Sequence, residues 1–232
     1  MPGSIKNYDE VLPAVDILRK TLAAQEDNSV VISSIGMTTN MRDLAKSPGG
    51  DQYSPMSGYD LISKKVKKVV WMDGGYNFAC AGHGDNNNGY LGDDEGCRGS
   101  AKEIFELFPN TTQHIFNTIG DDILTGGVLT DCAPPTNPCR KAYYDWGKAV
   151  TGEGDHFDRS SWDLFNTLIA VRGVNSTYVN QTLYQDFKVD ESGSHETYEN
   201  PGPGTFNKLN FYPENRTEVI SLIEIELNTL LC

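Results

Sequence analysis

An α/β domain, built on a mostly parallel sheet flanked by helices, is the fold that the sequence predicts. Two strand-to-turn junctions carry most of the expectation. Val30-Val31-Ile32-Ser33-Ser34-Ile35 is a short β-branched run that Gly36 breaks into the polar turn Met37-Thr38-Thr39-Asn40. Val66-Lys67-Lys68-Val69-Val70-Trp71-Met72 is a second such run, ending in Asp73-Gly74-Gly75. The third observation is that each run follows a helical pattern. Val11 to Ala24 places Leu12, Val15, Leu18 and Leu22 on one face, and Tyr59 to Lys65 precedes the second strand. Strands that alternate with helices lie parallel, and parallel sheets bind ligands at the carboxyl ends of their strands.

Further along, Arg159-Ser160-Ser161-Trp162-Asp163-Leu164-Phe165-Asn166 leads into the apolar run Thr167 to Val171. Ser161 suits an N-cap, and a carboxylate in a first helical turn is favoured by the helix dipole. Asp163 thus has two readings, a capping carboxylate or a cation ligand held at a pocket floor. After Gly173, Tyr178 to Lys188 and Thr205 to Tyr212 read as strands, separated by a flexible stretch from Asp190 to Gly204. Val219, Leu222, Ile223, Ile225, Leu227 and Leu230 make Glu214 to Leu230 an amphipathic helix packed on the sheet. A single domain over residues 1–232 accommodates all of this, with no internal repeat.

Composition narrows the partners. A net charge of −13 repels phosphate backbones and argues against nucleic-acid polymers. The basic run Lys64-Lys65-Val66-Lys67-Lys68 precedes a strand and reads as a solvated edge. No run approaches the ~18 apolar residues needed to span a bilayer. Four acceptor sequons, at Asn110, Asn175, Asn180 and Asn215, together with five cysteines, favour an extracellular or secretory setting. Cys132 and Cys139 flank a stiff proline-rich connector and are expected to pair, while Cys80 and Cys97 flank a Gly/Asn/Asp-rich loop. The alternative is free thiols in a cytoplasmic protein. Zinc is not expected, because no Cys-x-x-Cys occurs and the four histidines are scattered.

Taken in order, Ile35-Gly36-Met37-Thr38-Thr39-Asn40-Met41-Arg42-Asp43-Leu44, Val69-Val70-Trp71-Met72-Asp73-Gly74-Gly75 and Ser161-Trp162-Asp163 resemble the inosine–uridine preferring nucleoside hydrolases. The resemblance runs from about Tyr8 to Gly173. It is closest to a branch with Ser-Trp-Asp where other members have a histidine before the aspartate. It implies a Rossmann-like sheet and a calcium-dependent hydrolase that cleaves the N-glycosidic bond of small-molecule ribonucleosides. Asp163 matches the calcium-binding aspartate, and Thr39 the threonine whose carbonyl also binds the ion. Met72 matches a methionine of the ribose pocket, and Trp162 stands where the leaving-group histidine would be. The ribose-binding Glu-x-Asn falls on Leu91-Gly92-Asp93, which makes Asp93 a substrate-binding candidate with Asn88 and Asn86 as rivals. His83 is a second candidate for the leaving-group role.

The family's opening strand and aspartate cluster have no counterpart before Val30. The general base is therefore unmatched, and Asp93-Asp94-Glu95 and Asp121-Asp122 lie too far downstream to be that cluster. The expectation is a fold incomplete at its N-terminus, whose 232 residues alone hydrolyse nucleosides poorly and self-associate through an unpaired sheet edge. The alternative is a non-catalytic relative serving as a secreted glycoprotein or binding module.

Overall fold

The computed structural model describes residues 7, 10–36, 38–72, 103–117, 119–189 and 196–232. The chain runs α1 (Ala14–Ala23), β1 (Val30–Ser34), α2 (Thr39–Lys46), α3 (Gly58–Lys65), β2 (Val66–Met72), α4 (103–107) and β3 (Gln113–Asn117). It continues with β4 (Leu124–Thr125), α5 (Leu129–Cys132), α6 (Pro138–Thr151), β5 (Arg159–Ser160), α7 (Trp162–Arg172), β6 (Val179–Val189), β7 (Glu196–Pro201), β8 (Phe206–Phe211) and α8 (Arg216–Leu231). Six strands form the central sheet in the order β1-β2-β3-β8-β6-β7. The first four are mutually parallel, and β6 and β7 are added antiparallel. This is the mostly parallel sheet flanked by helices that the sequence predicts.

Strand periodicity divides the core in two. Val69 and Trp71 of β2 join Phe116, Phe187 and the helix residues Leu22, Met41, Leu44, Leu61 and Ile62 on one face. Val70 joins Ile115, Leu209, Phe165, Leu168, Ile169, Val219, Ile223 and Leu227 on the other, beneath α7 and α8. A parallel strand covered on both faces must be apolar at nearly every position, as β2 is past its lysines.

Two polar groups are buried in the first of these layers. Arg19 on α1 is 2% exposed and sits within the turn between α2 and α3. Its guanidinium pairs with Asp51 and donates to Ser47 Oγ at 2.8 Å and to the Met56 carbonyl at 2.8 Å. The Arg19 hydrogen bond, aided by the backbone N–H groups of Ser54 and Tyr53, holds the Asp51 carboxyl at about 2. His114 on β3 lies among Trp71, Phe105, Phe108, Phe116 and Phe206, and its Nδ1 accepts from Trp71 Nε1 at 3.1 Å. Burial pushes its imidazole down to about 3, so the ring is neutral.

Three expectations need correction. The stretch from Asp190 to Gly204 is not simply a flexible connector, because β7 lies within it. Tyr198 anchors that strand against Tyr184, Phe187 and Phe116, an aromatic contact that the polar composition of the segment hides. Cys132 does not pair with Cys139 but with Cys232, closing a loop of sequence separation 100, and Cys139 is free and exposed. The cause is the docking of α8, whose Glu224 and Asn228 accept from the Leu124 and Gly126 N–H groups and bring the chain terminus to α5. Cys139 is instead fixed in the first turn of α6, where the Asn137 side chain caps its N–H at 2.8 Å. Finally, Ser161 occupies the N-cap position of α7 without a side-chain capping bond. It is 2% exposed, and its hydroxyl is within 2.6 Å of Thr125 Oγ1 instead.

Two measurements follow from these contacts. Unfolded His114 takes up a proton near pH 6.5 that the folded chain refuses until about pH 3. Its contribution to stability is therefore complete above pH 6.5 and declines at about 1.4 kcal/mol per pH unit as the pH falls below it. Denaturant titrations at pH 6.5 and 5 should show an acid loss about 2 kcal/mol larger in the native chain than in His114→Gln, which keeps an acceptor for Trp71. Equal losses would mean the imidazole is not buried neutral. Non-reducing peptide maps should link Cys132 to Cys232 and leave Cys139 open to alkylation, whereas a Cys132–Cys139 peptide would refute the docking of α8.

Candidate functional site

Three parallel strands end together. Met72 is the register partner of Asn117, and Ser34 that of Trp71, so β1, β2 and β3 present their last residues along one edge. The β-branched and aromatic residues of each strand give way there to polar or flexible ones. Asn117 is 2% exposed; its Oδ1 accepts from the Ile119 N–H at 3.2 Å, and its Nδ2 has no hydrogen-bond partner. An unpaired buried donor costs about 1–3 kcal/mol. A bound acceptor at this edge would satisfy it.

Helix α7 reaches the same edge. Asn166, fully buried, donates from Nδ2 to Ser33 Oγ on β1 at 2.9 Å and to the Val70 carbonyl on β2 at 3.0 Å. One amide group thereby ties the helix to two neighbouring strands. At the start of the helix, the Ser161 N–H donates to the Gly120 carbonyl at 3.1 Å, three residues past the end of β3. Asp163 lies between these anchors, exposed, in the first turn.

Trp162 is held from several sides. Its indole Nε1 donates to Asp121 Oδ1 at 2.5 Å, and the Arg159 guanidinium carbon stands 5.4 Å from its ring and 4.4 Å from that of Trp146. Backbone approach is close: a Cβ added to Gly120 would lie 2.5 Å from the Trp162 Cα, so only glycine fits. Behind Trp162, Thr125 Oγ1 contacts both Ser161 Oγ at 2.6 Å and Tyr143 OH at 3.0 Å. Burial raises the Tyr143 hydroxyl above the usual tyrosine range. Asp122, the neighbour of Asp121, is engaged elsewhere by Arg216.

The sequence-derived candidates divide accordingly. Met72 ends β2, and Trp162 and Asp163 open α7, whose start is bonded to Gly120 just past the end of β3. Thr39 opens α2, five residues past Ser34, next to the buried Thr38. Its carbonyl is the one a regular helix assigns to the N–H of Asp43, which leaves a second lone pair for a cation. Asn88, Asp93, Asn86 and His83 lie outside the described residues, as do Cys80 and Cys97. Among the described residues, no group of three or more His, Cys, Asp or Glu could hold a metal ion. A hard cation needs six to eight oxygens, so Asp163 and Thr39 would be a partial set, compatible in donor type and short in number.

Sequence reasoning passed over Asn117 and Asn166. Both had a signal: a polar amide at the end of one apolar strand, and another within an apolar helical run. Comparison with protein-family models, with curated proteins and with solved structures found no match for this chain.

The Asn166 tie can be tested directly. Asn166→Ala removes both hydrogen bonds and should cost about 2 kcal/mol, a fall in Tm of about 4–8 °C. Asn166→Asp, which places a carboxylate in the same apolar layer, should cost more. An unchanged Tm in the alanine variant would mean that α7 is positioned by apolar packing alone.

Proposed function

We propose that this chain carries the substrate edge of an N-ribosyl hydrolase acting on ribonucleosides, with calcium as its cofactor. The observation that supports it best is the pairing of Met72 with the unpaired Asn117 amide at the carboxyl ends of β2 and β3, beside the start of α7, which carries Asp163. Ligands of α/β sheets bind at such ends. A bound calcium ion would supply a Lewis acid that orients the sugar diol and lowers the pKa of an attacking water.

The residues of this chain have separable parts in such a site. Asp163 offers a carboxylate in the first turn of a helix anchored at its N-cap by Ser161 and in its second turn by Asn166. The Thr39 carbonyl offers a second oxygen. The Asn117 amide can donate to a ribose hydroxyl, which would satisfy a donor that otherwise has no partner. Met72 supplies an apolar wall at the end of β2, and Trp162, immobilised by Asp121 and Arg159, a planar one suited to the base. A carboxylate that takes the proton of the attacking water completes the chemistry. The resemblance matches no residue of this chain to that role.

Ribose release from inosine, uridine and a p-nitrophenyl riboside tests the assignment. The full-length gene product should release ribose in calcium and not in chelator, and Asp163→Ala should lower kcat/KM by at least about 10²-fold, on the scale of losing a fixed charge in a catalytic site. Asn117→Leu should raise KM with less effect on kcat. Calcium-independent release, or full activity in the Asp163 variant, would overturn the assignment. Absence of turnover with intact nucleoside binding would favour the non-catalytic binding module.

A further inference from the structure

We propose that Asn110, Asn175, Asn180 and Asn215 carry N-linked glycans, and that the glycan on Asn180 shields an open stretch of sheet edge. This is independent of the hydrolase reading. Each of the four begins an Asn-x-Ser/Thr triplet, and each is exposed. In none of them does the side-chain nitrogen donate a hydrogen bond among the described residues. Three asparagines outside such triplets do commit theirs: Nδ2 of Asn166 donates to Ser33, that of Asn200 to Asp186 at 2.5 Å, and that of Asn207 to Gln181 at 2.9 Å. The sequon asparagines are thus surface groups with the side-chain nitrogen, the atom that takes the sugar, uncommitted. At Asn175 the side-chain oxygen accepts from the Thr177 N–H at 2.9 Å, which leaves the nitrogen uncommitted. The Cys132–Cys232 disulfide fits the same oxidising compartment.

Attachment needs a polyprenyl-diphosphate-linked oligosaccharide as co-reactant. The asparagine nitrogen attacks the anomeric carbon, the N–C bond forms as the C–O bond to the diphosphate breaks, and the amide loses one proton. The lipid diphosphate is the leaving group, and nothing is oxidised or reduced.

Asn180 has a further consequence. β7 pairs with β6 only from Tyr184 to Val189, and the Gly202 N–H takes the Leu183 carbonyl at 3.0 Å. Val179 to Thr182 therefore have β8 on one side and, among the described residues, no strand on the other. Unpaired strand edges invite pairing with another chain. A bulky, hydrated glycan rooted at Asn180 obstructs that approach.

Protein isolated from its native source, treated with peptide N-glycosidase in heavy-oxygen water and mapped by mass spectrometry, gives the first answer. The expected result is a heavy-oxygen aspartate at Asn110, Asn175, Asn180 and Asn215, and an unmodified asparagine at any of the four would overturn the assignment at that position. The shielding role is read by sedimentation of protein secreted from a eukaryotic host. Asn180→Gln should self-associate at several-fold lower concentration than Asn110→Gln, and equal behaviour of the two would refute it.

Discussion

One side-chain amide sets the geometry on which the candidate site depends. Asn166 donates to a serine hydroxyl on β1 and to a main-chain carbonyl on β2, in an environment with no water to compete. A buried polar group gains from each hydrogen bond it makes, and the directionality of those bonds is what apolar packing cannot supply. Leucines would hold α7 on the sheet; they would not fix its rotation or its height along the strands. With Asn166 placed, Trp162 and Asp163 one turn earlier have little freedom, and the Ser161–Gly120 backbone bond removes most of what remains.

A second set of contacts holds the segment between β3 and α5 on which Trp162 leans. Helix α8 contributes Glu224 and Asn228 as acceptors for the Leu124 and Gly126 N–H groups, and Arg216 as partner of Asp122. Isolated exposed pairs such as Arg216–Asp122 contribute little. Acceptors fixed on a helix to which a disulfide is tethered contribute more, because their ordering entropy is already spent by the fold. In the chain-entropy account, closing a loop of separation 100 stabilises by about 4.7 kcal/mol. β1 through Ser33 and α8 through its disulfide thus both bear on the segments that flank Trp162.

Much of this fold was legible in the sequence, and the illegible parts share a cause. The β-branched runs ending at Ser34 and Met72, the helices before them and the amphipathic closing helix all carry local periodic signals. Helix α1 begins at Ala14, because Pro13 holds an extended backbone. β7 carries no such signal, since its strand character depends on Tyr198 meeting aromatic residues of β3 and β6. The Cys132–Cys232 pair is a consequence of where α8 docks, and Arg19, spaced as a surface residue, is buried because Asp51 arrives from another segment. In the site, Trp162 and Asp163 were visible as a motif. Asn117 and Asn166 acquire meaning only from register, one as the neighbour of Met72 and the other as the bridge between two strands.

The central claim is that Asp163 is presented at this edge as an oxygen ligand, and not merely as a capping carboxylate. Both roles suit the first turn of a helix, and stability data alone would not separate them. Calorimetric titration of calcium into the full-length protein and into Asp163→Ala does. The account predicts that the variant binds the ion at least tenfold more weakly while its fold, read by circular dichroism, is unchanged. Equal calcium affinity in the two proteins would contradict it and return Asp163 to a purely structural role.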